Sequence, residues 1–146
     1  MIPEFNPDGN LPPGVHWATW QEFMERFGIT PRRQELLKGL KSAIDSLLKA
    51  GCQTIYIDGS FVTKKESPND FDGCWDIKGV DVELLDPILL DLSSKREKQK
   101  AKYRGELFPT SFIADAEGKT YLDFFQIDRN GNPKGIVAID LGGLQL

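Results

Sequence analysis

Asp70-Phe71-Asp72 constrains this chain more than any other stretch, because it sets two carboxylates one residue apart around an aromatic side chain. In a strand, residues two apart project from the same face. Asp70 and Asp72 are therefore expected on one side, with Phe71 turned into the core. Like charges so close cost stability unless a cation sits between them. An EF-hand-type loop would need oxygen ligands at alternate positions and glycine at the sixth. Phe71 and Trp75 instead give the alternation of a half-buried strand, and Gly73 falls in the wrong place for that loop. Oxygen-only ligation with open coordination suits Mg²⁺ or Mn²⁺, held by one or two carboxylates and substrate phosphates.

Upstream, Thr54-Ile55-Tyr56-Ile57-Asp58 is β-branched and aromatic, a short core strand that Gly59-Ser60 ends abruptly. Glycine lets the backbone turn and come close to a ligand. Serine at the start of a helical turn offers a hydroxyl among free backbone N–H groups, where a triphosphate tail can dock. Metal-bridged carboxylates beside a phosphate cradle are what in-line nucleotidyl transfer needs, one ion activating the attacking oxygen and the other stabilising the leaving pyrophosphate.

A hydrophobic strand, Gly59-Ser60, a short spacer and Asp70-Phe71-Asp72 together resemble the signature of the polymerase-β-like nucleotidyltransferase superfamily, and the likeness spans residues 54 to 126. The resemblance implies a third carboxylate in a later, neighbouring strand. Leu122-Asp123-Phe124 matches that pattern, with Tyr121, Asp123 and Phe125 sharing one face. Asp58, Asp76 and Asp140 compete for the role but lack Asp123's central place in a long apolar run. By resemblance, Asp70, Asp72 and Asp123 are catalytic and hold the metal, Asp123 activates the acceptor hydroxyl, and Gly59 and Ser60 meet the nucleotide's terminal phosphates. The whole chain also resembles an uncharacterised bacterial group within the superfamily. The shared features are the Leu11-Pro12-Pro13-Gly14 arm, a Trp-containing first helix, Gly59-Ser60-Phe61-Val62-Thr63 and Pro133-Lys134-Gly135-Ile136-Val137.

The activity so implied moves a nucleoside monophosphate from an NTP to a protein or RNA hydroxyl, in a setting such as a toxin–antitoxin or phage-defence module with a toxin or antitoxin partner. The antitoxin type usually carries Arg-Gly shortly after the serine. Here Phe61-Val62-Thr63-Lys64-Lys65 stands in its place, with Lys64 and Lys65 as substitute phosphate contacts. The alternative is a catalytically inactive binding protein that keeps the fold and acts on a protein or RNA partner by contact.

Lys95, Arg96, Lys98, Lys100, Lys102 and Arg104 stand against a single Glu97 on a chain whose net charge is -4. Such a run reads either as a solvated helix face or as a phosphate contact through Lys98, Lys102 or Arg104; a general nucleic-acid binder is the third reading it allows. His16, in the N-terminal arm, has no catalytic setting, and Trp17, Trp20 and Phe23 read as core. Asp128-Arg129-Asn130-Gly131-Asn132 reads as a hairpin turn, because Pro133 and Ile139 stand where a calcium loop needs glycine and glutamate.

The 146 residues suit one domain spanning 1–146, and 40% hydrophobic with 27% charged residues is an ordinary globular balance. No stretch approaches the roughly 18 apolar residues of a membrane span. The start lacks a signal-peptide pattern. Cys52 and Cys74 have no metal-ligand spacing and read as buried thiols, so a cytoplasmic address is expected.

Residues 1–16 read as an irregular Pro/Gly-rich arm, and 17–51 as two helices, the second running from Thr30-Pro31 to Gly51 with Leu36, Leu37, Leu40, Ile44, Leu47 and Leu48 inward. Residues 82–104 read as helix in two pieces broken at Pro87. Strands are expected at 108–114, 120–126 and 136–141, besides 54–58 and 70–75. The fold class is α+β (mixed α/β), a mixed sheet of about five strands over 54–141 with the N-terminal helices packed on it.

Overall fold

Thr19 and Thr30 start the two N-terminal helices through their side chains. Thr19 accepts from the Glu22 N–H at 3.1 Å while Glu22 accepts from the Thr19 N–H at 2.9 Å, a reciprocal cap that opens α1 (Trp20–Phe27). Thr30 accepts from the Arg33 N–H, and Pro31 occupies the first position of α2 (Pro31–Lys49). Leu36, Leu40, Ala43, Ile44 and Leu47 recur at helical spacing and are wholly buried. Each of the larger ones contributes about 2 kcal/mol by leaving water. No described helix is long and apolar enough to cross a membrane.

The computed structural model describes residues 2–142, and the ends of the 1–146 domain assignment lie outside them. Five strands, β1 (Gly14–Ala18), β2 (Thr54–Asp58), β3 (Phe71–Trp75), β4 (Gly105–Pro109) and β5 (Gly135–Asp140), form one mixed sheet in the order β1-β5-β2-β3-β4. β1 runs parallel to β5 and β4 parallel to β3, whereas β2 is antiparallel to both its neighbours. The period of two sorts the side chains. Ile55, Ile57, Phe71, Trp75, Leu107, Val137 and Ile139 join one core with the buried residues of α1 and α2. The opposite face carries Tyr56, Asp58, Asp72, Cys74, Glu106 and Phe108. The α+β class and a sheet of five strands agree with the sequence reading.

Four local expectations are corrected. The N-terminal arm is not irregular throughout, since Gly14–Ala18 is an edge strand; its pairing uses backbone groups and needs no long apolar pattern. Helix in 82–104 is confined to α3 (Glu97–Tyr103), preceded by single 3-10 turns at Pro87–Leu90 and Ser94–Arg96. The strand expected at 108–114 is β4 and lies earlier, at Gly105–Pro109. The strand expected at 120–126 is the short helix α4 (Tyr121–Phe124), capped by Thr120. Tyr121 and Phe125 share a side in a strand and also at the i, i+4 spacing of a helix. Both pack near Phe108, and the Thr120 cap decides for the helix.

α3 seals the β4 edge. Gln99 accepts from the Leu107 N–H at 2.7 Å, and the Tyr103 hydroxyl donates to Asp86. α3 approaches α2 closely at Gly39, where an added Cβ would lie 2.0 Å from the Tyr103 carbonyl oxygen. Helix propensity alone would make Gly39→Ala stabilising by about 1 kcal/mol. The backbone collision reverses that sign, and a net loss of about 1–3 kcal/mol is expected, seen as a lower urea midpoint at unchanged m value.

Candidate active site: a row of carboxylates on three strands

The sheet register brings together carboxylates that the sequence keeps far apart. Asp58 is the cross-strand partner of Asp72, and Asp72 is the partner of Glu106. Paired strands lie about 4.8 Å apart, so three acidic side chains stand abreast on one face. Asp70, one position before β3, joins them on the Glu106 flank. Burial first, and then the Glu106 charge, raises its carboxyl above the usual range.

Asp72 is at the centre of the row. Burial, followed by the Asp70 and Glu106 charges, pushes it up to about 7. Asp58 is 3% exposed, and its Oδ1 makes no hydrogen bond. Its carboxyl is raised well above the ordinary value, chiefly by burial and then by Asp72. Lys134 Nζ stands 3.8 Å from Asp58 Oδ2 and offsets part of that cost. Glu106 is compensated differently, by Arg96 at 3.2 Å and Lys100 at 3.0 Å. Ser94, Lys95 and Arg96 all have left-handed φ angles of 50° to 59° in the turn that delivers Arg96. That conformation costs a non-glycine residue roughly 1–2 kcal/mol.

Gly59 lets the row approach the end of β2. Its φ is +72°, and a Cβ there would lie 2.8 Å from Asp72 Oδ2. Glycine is thus required twice, for the turn and for the close approach of a carboxylate. Gly59–Val62 forms a single 3-10 turn. Beyond it opens a cavity of about 940 Å³, within the size range of small-molecule sites. Asp58, Asp72, Asp115 and Asp128 line it with Gly59 and Ser60, Lys65, Lys119, Arg129 and Lys134 add positive charge, and Phe124 and Phe125 add aromatic rings.

The nine residues between Ser60 and Asp70 are held by two arginines of α2. Arg33 is 2% exposed and donates to the carbonyls of Phe61 (2.6 Å), Thr63 (2.8 Å), Lys65 (2.7 Å) and Phe27 (3.3 Å). Its guanidinium also lies over the Phe61 ring, 5.0 Å from the centroid. Burial lowers its pKa from the ordinary arginine value. Arg32 donates to the Pro68 and Asn69 carbonyls. The loop from the Gly-Ser turn to the first aspartate is therefore fixed from one helix end.

Of the residues expected from sequence, Asp72, Gly59, Ser60 and Lys65 line the cavity, and Asp70 adjoins the row. Asp123 does not stand on a strand. It is the exposed third residue of α4, and the cavity is lined by Phe124 and Phe125 beside it. Lys64 is exposed, its backbone N–H donating to the Gly9 carbonyl. Arg104 pairs with Glu35 of α2 at 3.2 Å and does not line the cavity. Lys98 and Lys102 of the basic run pair with Asp91 and Asp86.

The sequence reading missed the roles of Asp58, Glu106, Arg32 and Arg33. A signal existed for two of them. Glu106 is the lone charge in Gly105-Glu106-Leu107-Phe108, and Arg33 falls on the inward stripe of α2 with Leu36, Leu37 and Leu40. Among the described residues, no three His, Cys, Asp or Glu side chains already close around a metal-sized space.

Residues 3–140 match the model of a family of unknown function, DUF6932, and the chain belongs to that family. Comparison with curated proteins and with solved structures finds no match.

Two outcomes follow from these energetics. Asp72 titrates higher in the folded state than in the unfolded chain, so the native protein binds more protons between about pH 4 and pH 7. The contribution of Asp72 to stability is therefore fully present below that window and is lost as pH rises through it, by on the order of 2–4 kcal/mol. Urea titrations of Asp72→Asn should show a flatter profile over the same range. Arg33→Met would strand several buried carbonyls at once and should cost about 3 kcal/mol; the same denaturation measurement checks it.

Proposed function

We propose that this protein is a metal-dependent nucleotidyltransferase that moves a nucleoside monophosphate from an NTP to a hydroxyl group of a protein or RNA acceptor. The observation that carries the reading is the Asp58–Asp72–Glu106 row, with Asp70 beside it, whose Asp58 and Asp72 line the cavity that opens from the Gly59-Ser60 turn while Glu106 and Asp70 stand behind that lining. Like-charged carboxylates this close are unfavourable on their own, as the raised Asp58, Asp70 and Asp72 carboxyls reflect, and the same donors are favourable ligands for a hard cation.

The donor chemistry suits Mg²⁺ or Mn²⁺, and the row would have to draw together to close around an ion, since no three of these side chains do so among the described residues. The donor set is all oxygen, and Asp58 Oδ1 is buried without a partner. Asp72 is the central ligand in this reading, with Asp70 and Glu106 on one flank and Asp58 on the other. A bound divalent cation would neutralise charge on the transferring phosphoryl group and lower the pKa of the attacking hydroxyl. Lys65, Lys119 and Lys134 meet phosphate oxygens, and the Ser60 hydroxyl donates to one. The acceptor oxygen attacks the α-phosphorus, the bond to the bridging oxygen breaks, pyrophosphate leaves, and the hydroxyl proton passes to a carboxylate of the row. Glu106 takes the role first expected of Asp123.

A second reading, a binding protein without catalysis, is favoured by one observation. Glu106 is already neutralised by Arg96 and Lys100, a state that needs no metal.

Incubation with labelled NTPs, Mg²⁺ and candidate protein and RNA acceptors separates the two. Under the enzymatic reading, Asp72→Asn and Glu106→Gln each lower label transfer by roughly a hundred-fold or more, the equivalent of losing several kcal/mol of transition-state stabilisation. Asp123→Asn should stay within about two-fold of wild type, as exposed substitutions usually do. Partner binding without label transfer, and indifferent to Asp72→Asn, would instead establish the second reading.

A further inference from the structure

We infer that Phe124 is the stacking platform for the nucleobase, an inference that rests on the nucleotide-binding reading above and extends it to the aromatic lining of the same cavity. The segment between β4 and β5 contributes no strand to the sheet. It is pinned by two isolated bridges, Ile113 to Thr120 and Ile127 to Pro133, and α4 lies between them. Tyr121 stacks on Phe108 at 4.0 Å with ring planes 9° apart, and Phe125 leans on both rings at 6.0 Å and 5.6 Å. Three aromatic side chains thus anchor this helical turn to the open face of the sheet.

Phe124 is placed differently. Its ring meets the edge of Phe125 at 5.9 Å, remains 42% exposed, and lines the cavity that also holds Asp58, Asp72 and Ser60. Phe124 is an apolar ring on an anchored turn whose edge contact with Phe125 leaves part of it open where it lines the cavity. It is preorganised, so a planar ligand stacking on it would lose little to protein ordering. The cavity lining supplies groups matching the three chemical parts of the ligand: the Asp58 and Asp72 carboxylates for a metal-bound phosphate, Lys65 and Lys134 for the remaining phosphate charge, and Phe124 for the base, with Asp115 and Asp128 also in the wall. Stacking accepts any base, because each has a π-face. Purines offer the larger area, so ATP and GTP should be preferred over CTP and UTP by a few-fold.

Calorimetric titration of the full chain with ATP and with inorganic tripolyphosphate, both with Mg²⁺, isolates the base contribution. ATP should bind roughly ten-fold more tightly than tripolyphosphate, in line with stacking on a single aromatic residue. Phe124→Ala should remove that advantage and leave tripolyphosphate affinity unchanged, whereas Phe124→Trp should retain it. An unaltered ATP affinity in Phe124→Ala would overturn the platform while leaving nucleotide binding intact. Equal losses for both ligands would also overturn it, by tracing the effect to the fold or the charge field. Failure of the wild-type protein to bind either ligand would defeat the nucleotidyltransferase reading and the platform together.

Discussion

Asp58, Asp72 and Glu106 occupy neighbouring register positions on three strands, so backbone hydrogen bonds hold together side chains that Coulomb repulsion drives apart. Much of the molecule compensates for this contact. Lys134 approaches from β5's leading end, Arg96 and Lys100 reach Glu106 from the α3 region, and burial together with the Asp70 and Glu106 charges raises the Asp72 carboxyl to about 7. Gly59 removes the Cβ that would otherwise press on the Asp72 carboxylate. The left-handed turn at Ser94–Arg96 is consistent with the same demand, because it places a guanidinium where the strand edge presents Glu106.

Charge also explains how the basic run and the acidic bulk coexist. Lys98, Lys102 and Arg104 find Asp91, Asp86 and Glu35, while Arg96 and Lys100 find Glu106. Exposed pairs of this kind contribute little individually. Each of these five cations thus has an acidic partner within the chain, while Lys98, Lys102 and Arg104 keep about half or more of their side chains exposed. Lys65, Lys119, Arg129 and Lys134 line the cavity and share no sequence run, Lys119 being paired with Asp115 and Glu117 and Lys134 with Asp58.

Local patterns that carry their own physics were legible in advance. The capped, amphipathic α2, the apolar β2 ending at Gly-Ser, and the alternation around Asp72 are decided within a few residues. The sequence was less informative where two structures share one periodicity. Tyr121-Leu122-Asp123-Phe124-Phe125 fits a strand on alternation and a helical turn on i, i+4 spacing, and the Thr120 cap together with the packing on Phe108 selects the turn. β1 escaped notice because an edge strand is defined by the partner's backbone and not by its own side chains.

The sequence by itself determined the local elements: paired carboxylates at a short strand, a glycine-serine turn before them, and the helix that backs the sheet. These follow from spacing, and spacing is local. The tertiary structure decided which carboxylates stand with Asp72, because strand order and register set the neighbours of a residue regardless of its distance along the chain. It put Glu106 and Asp58 beside Asp72 and left Asp123 on an exposed helical turn. It likewise turned Arg32 and Arg33, two ordinary residues of a helix start, into the clamp on the loop between the two halves of the site.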